Sequence, residues 1–115
     1  MTKSAIVGLA FALALGLTAS ARAETVTGEV VDTFCFATMG AKGASHKQCG
    51  VDCVKKGIPA GLLEKGTDKV YVLLPAKDKE PLPAGLVEKM GSDVTVTGKV
   101  HATGGSTFLT VESFK

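Results

Sequence analysis

The chain has 115 residues, 45% of them hydrophobic and 21% charged, with thirteen lysines and arginines against eleven acidic residues. That near balance, a single tyrosine (Tyr71) and no tryptophan leave neither the cationic surface nor the stacking platform that nucleic-acid binding requires. The length bounds the protein to one small domain, in which a disulfide or a metal would be a useful staple.

The first element is a leader. Lys3 is followed by an uncharged, mostly apolar run over residues 5 to 17, and Ala21-Arg22-Ala23 supplies the small-x-small pattern of a cleavage site. The run is shorter than the ~20 residues a membrane span needs, so residues 1–23 read as a secretory signal peptide cleaved after Ala23. Residues 24–115 then form a single exported, periplasmic domain with no membrane segment in its mature form. Lys3 and Arg22 leave with the leader, so eleven lysines face eleven acidic residues and no arginine remains. Charge, side-chain chemistry and compartment together exclude nucleic acid as a partner.

The mature chain opens on TVTGEVVDTF, residues 25 to 34, whose β-branched content predicts a strand with Gly28 at a bulge or bend. An insertion carrying the cysteines follows. Residues 40 to 44 (GAKGA) read as a loop. Ser45 and Gln48 form an S-x-x-Q capping box for a helix that Lys55, Lys56, Gly57 and Pro59 close. Residues 61 to 65 predict a short strand, joined through Gly66-Thr67-Asp68 to a third strand over 69 to 74 (KVYVLL). PAGLVEKM, residues 83 to 90, predicts a second helix with proline near its start and Gly91 after its end. DVTVTGKVH, residues 93 to 101, repeats the V-T-G-x-V string of the first strand, and Gly104-Gly105 makes a hairpin to a last strand over 107 to 114. Five antiparallel strands, a helix inserted between the first two and another between the third and fourth, make a mainly β, five-stranded OB-fold-like barrel.

All three cysteines and one histidine fall within CFATMGAKGASHKQCGVDC, residues 35 to 53, as C-x10-H-x2-C-x3-C. On the expected helix His46, Cys49 and Cys53 are spaced i, i+3 and i+7, within about 60° of one another. Cys35, at the end of the first strand, can reach them across the loop. Three thiolates and an imidazole make a closed set for one metal ion, Zn²⁺ or Cu(I). The same residues allow a disulfide from Cys35 to Cys49 or to Cys53 with one thiol left over, since the count is odd. They also allow plain burial of small apolar side chains. Val51 and Val54 are the core-facing residues of the helix, Met39 is a further soft donor, and His101, at a strand end, stands apart. There is no C-x2-C redox pair, no phosphate-binding glycine loop, no nucleophile elbow and no ordered carboxylate pair, so the chain reads as a binding protein rather than an enzyme. A thiol-redox role ranks behind metal binding and behind a disulfide-stapled scaffold that takes a ligand or a periplasmic protein partner.

Laid out in order, GEVVD at 28 to 32, Cys35, GAKG at 40 to 43, His46, Cys49, Cys53, Gly57 and Pro59 resemble a group of small exported bacterial proteins. These share a GEVVD-x2-C…H-x2-C-x3-C pattern followed by a VTVTG strand. The resemblance covers nearly all of the mature chain. It implies an OB-like fold and a common purpose for Cys35, His46, Cys49 and Cys53, without saying what they hold.

Overall fold

A computed structural model describes residues 23–115; the expected signal peptide lies outside the described residues, apart from Ala23 itself. Five strands close into a barrel: β1 (Ala23–Asp32), β2 (Ala60–Glu64), β3 (Val70–Pro75), β4 (Asp93–Thr103) and β5 (Ser106–Phe114), in the order β1-β2-β3-β5-β4. All pairs are antiparallel except β3 with β5. The closed five-stranded OB-like barrel is the one expected, while the parallel β3–β5 pair, which closes it, departs from the expectation of antiparallel strands throughout. Among the described residues, no helix is long and apolar enough to cross a membrane.

Closure depends on β1 serving two neighbours. Its first half pairs with β4 (Ala23↔Lys99 to Glu29↔Asp93) and its second half with β2 (Gly28↔Glu64 to Asp32↔Ala60). The strand changes partners at Gly28, where any Cβ would run into the Leu63 carbonyl. Gly98 has the same role on β4: the register with β5 shifts between Thr97 and Gly98, and a Cβ there would collide with the Thr110 carbonyl. The repeated V-T-G string therefore marks the two places where backbones approach too closely for a side chain. Inside, Val26, Val30, Leu62, Tyr71, Leu73, Val94, Val96, Leu109 and Val111 form one continuous apolar core.

The connections depart from the sequence expectation in three places. β1 ends at Asp32 rather than at residue 34, because Asp32 caps a short helix, α1 (Thr33–Met39). Cys35 therefore sits on a helix rather than on a strand end, and Phe34 points to solvent. The helix expected from Ser45 begins later. Residues Ala44–His46 form a 3₁₀ turn, the His46 N–H donating to the Gly43 carbonyl at 3.0 Å, and α2 spans Lys47–Lys55. The capping box does not form, since the tightened turn satisfies these groups locally and Gln48 instead donates to Asp52 at 2.9 Å. The segment over 83 to 90 keeps only a 3₁₀ turn at Val87–Lys89, because Gly85 takes φ +86° and interrupts the helical path. Its Leu86 and Met90 are nonetheless fully buried and plug one end of the barrel.

Gly98→Ala should cost about 3 kcal/mol of stability, because overpacking against backbone cannot be relieved by a rotamer change. Gly104→Ala, at a hairpin position with φ +59° and open space around it, should cost only about 1 kcal/mol. Urea denaturation of the two variants checks the contrast, and equal losses would refute the close approach at Gly98.

Candidate metal centre

The insertion leaves and rejoins the barrel at one point. The Thr33 N–H and Oγ1 both donate to the Pro59 carbonyl, at 3.1 and 2.8 Å, directly beside the Asp32↔Ala60 pair. The helices α1 and α2 are thus held at the rim where β1 passes into β2. Each ends on a glycine: Ala41 N–H reaches back to the Cys35 carbonyl, and Ile58 N–H to the Cys53 carbonyl.

Asp32 organises the site. Its residue is fully buried, and its Oδ1 accepts the Cys35 backbone N–H at 2.8 Å as the cap of α1. Oδ2 lies 2.7 Å from His46 Nε2. Burial by itself pushes the Asp32 carboxyl upward. The Cys35 amide, the His46 ring and the Cys35 thiol outweigh that effect, so the group is held below the usual carboxylate range.

Helix α2 lies on the barrel through Gly50 and Val51. The Gly50 Cα has no room to spare: a Cβ would sit 2.7 Å from Met90 Cγ and Sδ and 3.3 Å from Asp32 Oδ2. With Gly50 facing the core, Cys53 is turned by about 60° from it and Cys49 by about 100°. The sulfurs accordingly form a gradient from inside to outside: Cys35 buried, Cys53 half-buried, Cys49 exposed. The three Sγ atoms lie within 4.8 Å of one another, and no disulfide joins them.

His46 is brought to the same place by a different route. It lies in the 3₁₀ turn rather than on α2, and its ring falls within 4.8 Å of Cys35 and Asp32. The site is therefore two overlapping triads, Cys35-Cys49-Cys53 and Asp32-Cys35-His46, that share Cys35. Cys35, Cys49 and Cys53 come together, whereas His46 is grouped with Cys35 and Asp32 and not with all three sulfurs, so the four sequence-expected residues do not meet at one point, and Asp32 is the addition. Its signal was available, since an aspartate three residues before Cys35 is an N-cap placement, but the GEVVD segment reads first as strand. Met39 is exposed, and His101 pairs with Thr110 at 3.2 Å across the far hairpin. Neither belongs to the site.

Burial, followed by the hydrogen bond and charge of Asp32 and the nearby Cys53, pushes the Cys35 thiol up to about 12. Cys53 is likewise raised, by burial first and then by the Asp32 charge. Both shifts act against ionisation of these two thiols.

No family model, no curated protein and no solved structure matches the chain.

Two stability changes follow from Asp32. Asp32→Ala should destabilise the metal-free protein by about 2–4 kcal/mol, through loss of a helix cap and of a buried charged hydrogen bond. Because the folded-state carboxyl is held low, its contribution is complete at neutral pH and is lost as pH falls through the folded value. Asp32→Asn should therefore be less stable at pH 7 and show a shallower acid decline, measurable by urea titration between pH 7 and pH 3. An unchanged acid decline would contradict the assignment.

Proposed function

We propose that this protein binds one thiophilic d¹⁰ metal ion, Cu(I) or Zn²⁺, through Cys35, Cys49 and Cys53. One observation carries the reading: three sulfurs from two helices converge within 4.8 Å of one another, above a buried carboxylate–imidazole pair. A structural core of cysteines would not need an exposed member, whereas Cys49 gives an ion a way in and out.

The Asp32–His46 contact matches the arrangement that orients a ligating histidine. When Nε2 donates to the carboxylate, the imidazole is fixed in one tautomer and Nδ1 keeps its lone pair. His46 is then the fourth ligand for Zn²⁺, which prefers four donors. For Cu(I), which is satisfied by three thiolates, it is a positioning neighbour. Asp32 stays in the outer sphere in both cases. In this reading the leader exports the protein to the periplasm, and the resemblance to small exported bacterial proteins describes relatives built around the same cluster. The role is metal handling or structural clipping of the insertion onto the barrel.

The test is a competition titration of the reduced protein against a chromophoric chelator, run with Zn²⁺ and separately with Cu(I). One equivalent should bind with thiolate-to-metal charge-transfer absorption for Cu(I). Serine at Cys35, Cys49 or Cys53 should remove most of the affinity. His46→Ala should weaken Zn²⁺ binding by about 10–100-fold, and Cu(I) binding by less. Failure of the fully reduced protein to take up either ion would refute the reading.

A further inference from the structure

Charge is divided between the insertion and the barrel. Residues 33 to 59 carry four lysines, Lys42, Lys47, Lys55 and Lys56, all exposed, and one acidic residue, Asp52. Residues 24 to 32 and 60 to 115 carry seven lysines and ten acidic residues. With histidine neutral, a net +3 on the part that holds the sulfurs stands against −3 on the rest. The insertion also exposes apolar surface. Among the described residues three large hydrophobic side chains are exposed, and two of them, Phe34 at 56% and Met39 at 68%, lie on α1. Met39 follows Cys35 by one turn on the same face of that helix. On α2, the face that carries Cys49 and Cys53 continues to Lys56 at the C-cap, at i, i+4 and i+7.

We propose that the insertion docks an acidic protein presenting a pair of cysteines, and that Cu(I) passes to this partner by ligand exchange that begins at Cys49. The transfer rests on the metal reading above. Cys49 is exposed, Cys53 half-buried and Cys35 buried, so an incoming thiolate reaches the ion on the Cys49 side. The first acceptor thiolate bonds to the ion as the bond to Cys49 breaks. The second displaces Cys53, and Cys35 leaves last. The ion keeps its oxidation state throughout. The three cysteines take up three protons, two released by the acceptor thiols and one from solvent.

Charge, surface and donor chemistry each select this occupant. The cationic insertion draws in an acidic surface and repels a basic one. Phe34 and Met39 are of the types enriched where proteins meet, and the lysines supply the polar rim. An anionic membrane would also answer the lysines and Phe34, but its phosphates offer hard oxygen donors to a soft ion. A small free thiol would supply the donor and leave the apolar side chains uncovered.

The experiment follows Cu(I) leaving the loaded protein for two peptides of equal length, each carrying Cys-x-x-Cys beside leucine, one flanked by glutamates and one by lysines. At low salt the acidic peptide should take the ion at least about tenfold faster, and the difference should vanish near 1 M salt, where the Debye length is about 3 Å. Combining Lys47→Glu with Lys56→Glu should remove the preference without changing the stoichiometry of the loaded protein. Combining Phe34→Ser with Met39→Ser should slow transfer to both peptides, and unchanged rates would overturn the apolar contact. Equal rates for the two peptides at low salt would overturn the docking face and leave the metal site intact. Vesicles rich in phosphatidylglycerol should not sediment the protein at about 0.15 M salt; sedimentation there without a peptide preference would overturn the protein partner in favour of a membrane. Absence of Cu(I) uptake would overturn the transfer together with the Cu(I) reading. The docking face is then judged on the metal-free protein, using single-cysteine versions of the peptides activated with thionitrobenzoate. The acidic one should couple faster, and at Cys49; coupling mainly at Cys53 or Cys35, or at equal rates, would overturn it.

Discussion

The buried carboxylate of Asp32 is the constraint on which the rest of the centre depends. It ends β1, caps α1 and holds His46, all from a position with no exposure to solvent. A carboxylate so placed would be costly if left alone, and its cost is offset by hydrogen bonds that also fix two of the cluster residues. The Cys35 backbone is oriented by the cap and the His46 ring by the second oxygen. Gly50 completes the arrangement by letting α2 settle against Met90 and Asp32, which brings Cys53 and then Cys49 over Cys35.

The barrel supplies the rigid frame for this. Because Thr33 and Pro59 are tied together beside the Asp32↔Ala60 pair, the insertion behaves as a single closed excursion from the rim. Its other anchor is the 90–92 segment, where Gly91 N–H donates to the Val30 carbonyl and Val30 N–H to that of Ser92. Met90 is thereby held under Gly50 while being part of the barrel core. The core and the cluster thus share a wall, so the positions of the sulfurs depend on the packing of the barrel.

Much of this was legible in the sequence, and the exceptions have physical causes. Strand content, order and hairpin glycines follow from β-branched periodicity and turn chemistry, which are local signals. The glycines inside β1 and β4 announce a bulge or bend, whereas only the fold shows that the backbone comes too close there for a side chain, against the Leu63 and Thr110 carbonyls. The gathering of Cys35, Cys49 and Cys53 was expected from their spacing, yet through a different route: Cys35 arrives on a helix and His46 on a 3₁₀ turn. Asp32 was missed because β1 runs straight into it, so the cap is hidden at the end of a hydrophobic strand. Ser45 misled for the opposite reason, since a well-formed capping box lost to a tighter turn set by the loop before it. Helix ends are decided by a few tenths to one kcal/mol, about the scale at which tertiary contacts override local preference.

The central claim concerns what the three sulfurs hold. X-ray absorption at the metal edge of the reduced protein, loaded with one equivalent of Zn²⁺ or Cu(I), counts the ligands directly. The account predicts a first shell of three sulfurs, at about 2.3 Å for zinc with one nitrogen beside them. A shell of nitrogen and oxygen alone, or fewer than three sulfurs, would contradict it.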